Sequence, residues 1–461
     1  SAGKMMMQKE KTVGKAKTVG TLFTGDDLKK LIFPLIIEQI LAVSVGMVDT
    51  MMVSNLGSQA ISGVSLVDSV NNLIVQLFSA MATGAAIICS HYIGMKDREG
   101  ANKAARQVVL TVATIAVVIT IAGLILRRPL LSFIFGKVEP EVMSNAVTYF
   151  LYTALSYPFL ALFSAGSAIF RSCGNSRYPM MVSVISNVIN VCGNALLMFV
   201  FNMGVAGAAI STLVSRVFCM VVIFIALSKP KIDIVVSEYH KIRPDYKLIG
   251  SILAIGVPSG IENSMFQFGK LAIQSTVSTM GTAAIAAQAM TNILENVNGV
   301  FGIGVGICLM TVVGQCLGAG RKEEAKYYIV KLCGIAEIGI IVSCIIVYAL
   351  VRPITVLGGM ETDSARMCIE MVGAITIYKP IAWVFSFVPA YGMRAAGDVK
   401  FSMITSMTTM WCCRVALCIG LVKVFNMGPM AVWYGMFADW TVRGIVFVSR
   451  YFSGKWIKKV I

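Results

Sequence analysis

Acidic side chains inside apolar stretches are the residues of this sequence most able to do chemistry. Asp49 lies in an apolar run about 19 residues past Lys30, which is on the order of 28 Å of helix. An ionisable group at the centre of a membrane helix costs at least roughly 2.5–3.5 kcal/mol, so it favours a functional role. Burial disfavours the charged form of a carboxyl, which would let Asp49 bind and release protons near neutral pH. The alternative is an acid at a helix end that water satisfies.

Two apolar segments each carry a stripe of polar side chains spaced four residues apart. The stripes consist of Asp68, Asn72 and Gln76 in the first segment, and of Gln288, Asn292 and Asn296, flanked by Glu295, in the second. Residues four apart lie on one face of a helix. At about 12–24 Å from the outer ends of their segments, both stripes bracket the bilayer midplane. Because such side chains are costly against lipid, they predict a substrate-binding cavity; the alternative is a polar contact between helices.

Two glutamates share a motif with a proline four residues earlier. Glu38 follows Pro34, and Glu262 follows Pro258. On a helix, the residues from Glu38 to Asp49 turn through about 1100°, which leaves both acids on one face. The two glutamates are therefore candidate contacts for a substrate or a cation. Alternatively, each could satisfy backbone groups that the proline frees.

The composition places these residues in a membrane protein. Of the 461 residues, 57% are hydrophobic and 13% are charged, whereas soluble domains are about 45–50% apolar and about 25% charged. The net charge of +16 resides in short gaps between apolar stretches, which is typical of membrane proteins and not of nucleic-acid binding. The cysteines and the two histidines lack metal-ligand spacing, and no phosphate-binding loop for ATP occurs. We therefore expect that the protein is not an enzyme and that it binds neither a cofactor nor a structural metal.

Twelve segments are long enough to cross a bilayer, which needs about 20 apolar residues. They lie near 31–53, 62–93, 104–126, 142–170, 179–200, 204–228, 249–278, 283–316, 327–350, 367–393, 401–424 and 429–449. Lys and Arg are concentrated in both tails and in the gaps after even-numbered segments, with weaker exceptions after the third and ninth segments. By the positive-inside rule, this pattern predicts that both termini are cytoplasmic.

The two halves of the sequence repeat each other with an offset of about 224 residues. Pro34 and Glu38 recur as Pro258 and Glu262, and the motif beginning at Phe201 recurs at Phe425. Six spans per half is an even number, so the two copies have the same orientation and are related by an axis along the membrane normal. Transporters built from such repeats bind substrate between the lobes.

We therefore predict an all-α polytopic membrane protein with twelve transmembrane helices in two six-helix lobes related by a parallel pseudo-two-fold repeat. The predicted parts are a cytoplasmic tail (1–28), an N-lobe (29–228), a cytoplasmic linker (229–248), a C-lobe (249–452) and a second cytoplasmic tail (453–461).

Four motifs resemble those of the multidrug and toxic compound extrusion (MATE) family. They are Val48-Asp49-Thr50 followed by Gly57, the stretch from Phe170 to Pro179, the stretch from Gly204 to Gly207, and the stretch from Gly314 to Gly320. The resemblance covers residues 25–450. It implies a two-lobe, twelve-helix antiporter of the cell membrane that exports organic, often cationic compounds in exchange for protons or sodium.

The resemblance also implies roles for individual residues. Asp49 matches an aspartate of the first helix that is essential for ion coupling. Part of the family places a second acid on the fifth helix, where this sequence has Asn194, preceded by Asn187 and Asn190. We therefore expect a single-acid coupling site formed by these residues.

Sodium-coupled members use acids in the second lobe, and oxygen ligands suit this hard cation. Here Glu262 and Glu295 are the candidate sodium ligands. No acid lies between Glu370 and Asp398, however, so the tenth segment lacks an aspartate that some members carry. Proton coupling is therefore favoured. Lys270 and Lys379 could neutralise acids nearby.

The predicted partners are a small organic molecule, protons or sodium, and the lipid bilayer, with no nucleic acid and with the chain acting as a monomer. One alternative is a flippase for lipid-linked precursors, which would need a strongly basic cavity for pyrophosphate. The other is a membrane-bound enzyme or scaffold, for which the sequence offers no catalytic set of His with Cys or Ser.

Overall fold

A computed structural model describes residues 21–136, 138–229, 234–236, 242–458 and 460. Most of the predicted first tail (1–28), the middle of the linker (229–248) and two residues of the last tail lie outside these described ranges. Within them, the chain forms helices joined by short turns, with no strand.

The helices are named here in chain order. Those of the N-lobe are α1 (Gly25–Ser54), α2 (Ser58–Gly94), α3 (Arg98–Phe135), α4 (Pro140–Leu155), α5 (Tyr157–Ser172), α6 (Arg177–Asn194), which continues as a π-helical turn (Ala195–Val200), and α7 (Val205–Leu227). Those of the C-lobe are α8 (Tyr246–Val277), α9 (Thr282–Gly318), α10 (Lys322–Leu357), α11 (Thr362–Ala395), α12 (Val399–Thr408), a π-helical turn (Thr409–Val415), α13 (Ala416–Lys423) and α14 (Met430–Ser453).

These helices account for the twelve predicted spans. Nine spans in the described part of the chain are long and apolar enough to cross a membrane, and the pair α4 and α5, bent by 43°, makes a tenth. The bend falls at Ser156, two residues before Pro158, because proline cannot continue the hydrogen-bond pattern of the preceding helix. The remaining two spans are α8 and α14, which carry several charged side chains.

The sequence repeat is also a repeat of backbone conformation, which confirms the two-lobe prediction. The π-helical turn that extends α6 has its counterpart between α12 and α13. Asn202 and Asn426, which follow these helices, both adopt a left-handed conformation with φ of 52°. Asparagine tolerates that region better than most residues, so the same chain reversal is encoded twice.

The two lobes share one hydrophobic core at one end of the bundle. We call this end, where α2 ends at Gly94 and α9 ends at Gly318, the base. A single cluster of buried residues there joins N-lobe side chains such as Leu35 and Ala85 to C-lobe side chains such as Ile252. Toward the opposite, open end, two further clusters belong to one lobe each. The lobes therefore part above the base, leaving a cleft with α1 and α2 on one wall and α8 and α9 on the other.

Helices α2 and α9 cross in direct backbone contact at the base. A Cβ atom on Gly94 would lie 2.1 Å from the Gln315 carbonyl oxygen, and a Cβ atom on Gly318 would lie 2.1 Å from that of His91. His91 Nε2 hydrogen-bonds to the Ala395 carbonyl oxygen at 2.7 Å, and Gln315 Nε2 donates to that of Ser172 at 2.6 Å. His91 and Gln315 are repeat counterparts. Each therefore ties its own lobe to the last turn of a helix in the other lobe.

Gln315→Leu is expected to loosen the base. The substitution leaves the Ser172 carbonyl group buried without its donor, which costs about 1–3 kcal/mol, so the population with an open base should rise about tenfold or more. Hydrogen–deuterium exchange of the full chain in nanodiscs measures this opening as faster exchange at the ends of α2 and α9. Gln274→Leu, on an exposed site of α8, is the matched control. Unchanged exchange at the base in Gln315→Leu would contradict the prediction.

Candidate functional site

The structure brings Asp49 of α1 and Asn194 of α6 together. Asn194 Nδ2 donates a hydrogen bond to Asp49 Oδ1 at 2.7 Å, and Asn194 itself is buried at the start of the π-helical turn. The amide oxygen of Asn194 is buried and has no hydrogen-bond partner in the described part of the chain. Asn187 and Asn190 are half-buried on the same helix, but the structure shows no hydrogen bond from either to Asp49. The backbone carbonyl of Asn190 accepts from Ser211 of α7.

An arginine that the sequence reasoning missed lies beside this site. Arg216 is the one charged residue of α7, and it donates to Ser156 Oγ at 2.6 Å, at the break between α4 and α5. It interacts electrostatically with both Asp49 and Asp68. Its position in a 23-residue helix with no other charged side chain was the signal that could have identified it. Asp49, Asp68 and Arg216 thus form a group of two acids and one cation within the N-lobe.

The first polar stripe lies on α2, along the N-lobe wall of the cleft. Asp68 is half-buried and near Arg216, whereas Asn72 is exposed. The backbone carbonyl oxygen of Gln76 accepts a hydrogen bond from Asn263 Nδ2 of α8 at 3.3 Å. Gln76 therefore marks the height at which the two lobes still touch, and Asp68 and Asn72 lie above it toward the open end.

The second polar stripe, on α9, is divided between the C-lobe interior and the cleft. Gln288 is buried and accepts from Trp433 Nε1 at 3.2 Å. Glu295 forms an ion pair at 2.9 Å with Lys379, which is fully buried. Asn292 and Asn296 are exposed. Gln288 and Glu295 therefore serve contacts within the lobe, and the two asparagines are the members of the stripe that are open to the cleft.

Glu38 and Glu262, the two predicted substrate contacts, each form an ion pair within their own lobe. Glu38 is buried against Arg171, whose Nη2 lies 2.6 Å from Glu38 Oε2. Glu262 is buried in the equivalent way against Arg394 at 2.7 Å. Both acids also accept from serines, Glu38 from Ser183 of α6 and Glu262 from Ser406 of α12. Neither offers a free carboxylate to the cleft, because each neutralises the arginine at the end of a neighbouring helix.

The candidate sodium ligands Glu262 and Glu295 are likewise ion-paired, with an arginine and a lysine respectively. Among the described residues, no group of three or more His, Cys, Asp or Glu side chains could hold a metal ion.

A second ionic cluster that the sequence reasoning missed lies inside the C-lobe. Asp439 of α14 contacts Arg414 Nη2 at 2.6 Å and Arg443 Nη2 at 3.2 Å, and all three side chains are buried. Arg414 lies in the π-helical turn before α13, and both guanidinium groups face the ring of Phe266 of α8. The sequence alone did not pair Asp439 with Arg414, because the two residues come from different elements.

Two like-oriented helical lobes around a cleft with polar walls define the class of protein as a secondary transporter. The sequence model of the MatE family matches residues 34–196 and 258–419, once in each lobe and well over half of the chain. The chain therefore belongs to the MatE family of multidrug export transporters, as its motifs predicted, and it is a multi-pass membrane protein that acts on small molecules.

Similar proteins span nearly the whole chain. The probable multidrug resistance protein NorM of Thermotoga maritima is 25% identical over 448 residues, which are 94% of each chain. The uncharacterized transporter YisQ of Bacillus subtilis is 26% identical over 439 residues, covering 94% of this chain and 95% of YisQ. The crystal structure of MATE in complex with MaL6 superimposes with a TM-score of 0.87 at 19% identity, covering 93% of this chain and 96% of that chain. At that identity the structural likeness establishes the fold alone.

Proposed function

We propose that this protein exports amphipathic, cationic organic compounds across the cell membrane in exchange for protons, by alternating access. The observation that carries the proposal is the single carboxyl of Asp49 hydrogen-bonded to a neutral amide, Asn194. An amide has both a donor and an acceptor. Asn194 can donate to the ionised carboxylate, and after an amide flip its free oxygen can accept from the protonated form. Such a partner suits an acid that changes protonation state in each cycle.

Proton and substrate compete for the same negative charge in this proposal. Asp49 and Asp68 together outweigh Arg216 by one charge, so a cationic compound on the α2 wall is attracted. When Asp49 takes up a proton, that excess charge disappears and the cation is released. Asn72, Asn292, Asn296 and Gln76 supply polar contacts for the substrate in the cleft.

The base contacts are the gate of this transport cycle. We take residues 29–228 and 249–452 as the two bodies that rock, joined by the linker 229–248, with both termini (1–28 and 453–461) and the base on the cytoplasmic side. The chain then acts as a monomer. Opening toward the cytoplasm requires α2 and α9 to separate at their glycine crossing, which breaks the hydrogen bonds of His91 and Gln315.

Ethidium transport in proteoliposomes tests the proposed function. A pH gradient imposed alone should drive ethidium movement, and a sodium gradient imposed alone should not. Movement driven by sodium alone would favour the sodium-coupled alternative, in which ligands other than the paired Glu262 and Glu295 would be needed. Absence of movement under both gradients would refute drug export of this kind.

Substitution of the cleft amides should change affinity more than coupling. Gln76→Ala and Asn292→Ala each remove one polar contact, worth about 0.5–1.5 kcal/mol, so the apparent affinity for ethidium should fall roughly two- to tenfold. The number of protons exchanged per ethidium should stay the same, because neither residue contacts Asp49. Fluorescence titration gives the affinity and paired flux measurements give the stoichiometry. Gln59→Ala serves as the control, because Gln59 is a half-buried residue at the start of α2 whose side chain donates to Glu139 at 3.2 Å. Unchanged affinity in both cleft variants would argue against a midplane site.

A further inference from the structure

Lys270 lies on the face of α8 that looks across the cleft. It follows Asn263 by two helical turns, about 10 Å toward the open end, and the two residues point within about 20° of each other. Asn263 Nδ2 hydrogen-bonds to the Gln76 carbonyl oxygen on the other lobe. Lys270 therefore faces the N-lobe just above the height at which the lobes separate, and its side chain is exposed there.

Lys270 differs from the other C-lobe cations of this region in having no ion pair within the described residues. Lys379 is paired with Glu295, and Arg414 and Arg443 are both paired with Asp439. Lys270 instead places its Nζ 4.9 Å from the centre of the Phe266 ring. A ring face holds an ammonium group in position but carries no net charge, so its N–H donors remain available to an anion.

Glu295, the acid that interacts electrostatically with Lys270, already forms an ion pair with another lysine. Lys270 interacts with Glu295 and is repelled by Arg414, but the Glu295 carboxylate is engaged by Lys379 at 2.9 Å. The four cations around Phe266 and Glu295 face two acids, so this wall of the cleft has a net positive charge. An ammonium group at this depth calls for a counter-charge, and among the described residues none forms an ion pair with Lys270.

The opposite wall has the opposite sign. On the N-lobe, Asp49 and Asp68 outnumber Arg216. The repeat places Gly46 where the C-lobe has Lys270, so the positive wall is specific to the C-lobe. Two facing walls of opposite charge orient a ligand that carries both a positive and a negative group. They disfavour a ligand whose charged group faces the wall of the same sign.

We propose that Lys270 anchors an oxyanion subsite in the C-lobe wall, which binds the carboxylate of an amphoteric export substrate while its cationic group faces the N-lobe acids. The Lys270 ammonium group donates to the carboxylate oxygens, and Phe266 holds the side chain toward the cleft. The exposed amides of Asn292 and Asn296 on α9 line the same wall and can add neutral donors. This subsite rests on the proposed function only in taking the bound molecule to be an exported one.

A matched pair of dyes tests the subsite directly. Rhodamine 110 carries a free carboxylate, and rhodamine 123 is its methyl ester, with the same cationic ring system. Fluorescence anisotropy with the full chain in nanodiscs should show tighter binding of rhodamine 110, by about tenfold, as expected for one charge-assisted hydrogen bond. Lys270→Gln should remove this preference by weakening rhodamine 110 alone, and Lys270→Arg should retain it.

Lys331→Gln is the matched control, because it removes the same charge from α10, whose Lys331 lies over Tyr327 on the same helix. Equal wild-type affinity for the two dyes, binding of neither, or a preference that survives Lys270→Gln would overturn the subsite. The readout is equilibrium binding and needs no ion gradient. Lys270-dependent binding of rhodamine 110 without proton-driven transport would therefore refute the proposed exchange and leave the subsite standing.

Discussion

Asp49→Asn is expected to abolish proton-driven export while leaving the fold intact. An amide has nearly the shape of a carboxyl but cannot ionise, so it can still accept the hydrogen bond that Asn194 now donates at 2.7 Å. It can neither attract the cation nor release it on protonation. Ethidium efflux driven by a pH gradient should therefore fall to the background of protein-free vesicles, with the thermal unfolding midpoint unchanged.

Asp68→Asn is the control for this prediction. Asp68 lies in the same lobe and also interacts with Arg216, but the hydrogen bond of Asn194 goes to Asp49. Its loss should weaken cation binding and leave exchange driven by protons. Undiminished transport by Asp49→Asn would remove Asp49 from the mechanism. Loss of coupling in Asp68→Asn instead would move the coupling site to α2.

Asp439→Asn is expected to destabilise the C-lobe strongly. The Asp439 carboxylate neutralises Arg414 at 2.6 Å and Arg443 at 3.2 Å, and all three side chains are almost inaccessible to solvent. Removal of one partner from a buried ion pair leaves an uncompensated charge and costs about 3–5 kcal/mol. Here two arginines lose at once the acid that they share. Denaturation of the purified protein in detergent, followed by tryptophan fluorescence, should show a clearly lower midpoint.

Asp363→Asn is the matched control, because Asp363 is an exposed acid in the first turn of α11. Its effect should stay within about 0.5 kcal/mol, as for most surface substitutions. A stability of Asp439→Asn equal to that of the control would mean that the Phe266 ring and backbone carbonyls suffice to hold both arginines.

Much of the fold could be predicted from the sequence for two reasons. The thickness of the bilayer sets the length of each apolar span, and the cytoplasmic connections are enriched in Lys and Arg. The apolar segments, the offset between Glu38 and Glu262 and the MATE-like motifs were sufficient for the two-lobe architecture and the family. The sequence also predicts that Asp49 and Asn194 belong to one site. That expectation came from the family resemblance, since their separation of 145 residues gives no local signal.

Only the tertiary structure decided which charges neutralise each other and which remain open to the cleft. Glu38 and Arg171, or Asp439 and Arg414, are far apart in the sequence and meet only after their helices pack. Polar spacing along one helix shows which residues share a face, but not what that face contacts. The rotation of each helix about its axis is set by its neighbours, for example by the backbone contact of α2 and α9 at Gly94 and Gly318. The proposed roles of Arg216 and Lys270 therefore depend on how helices that are distant in the chain pack against each other.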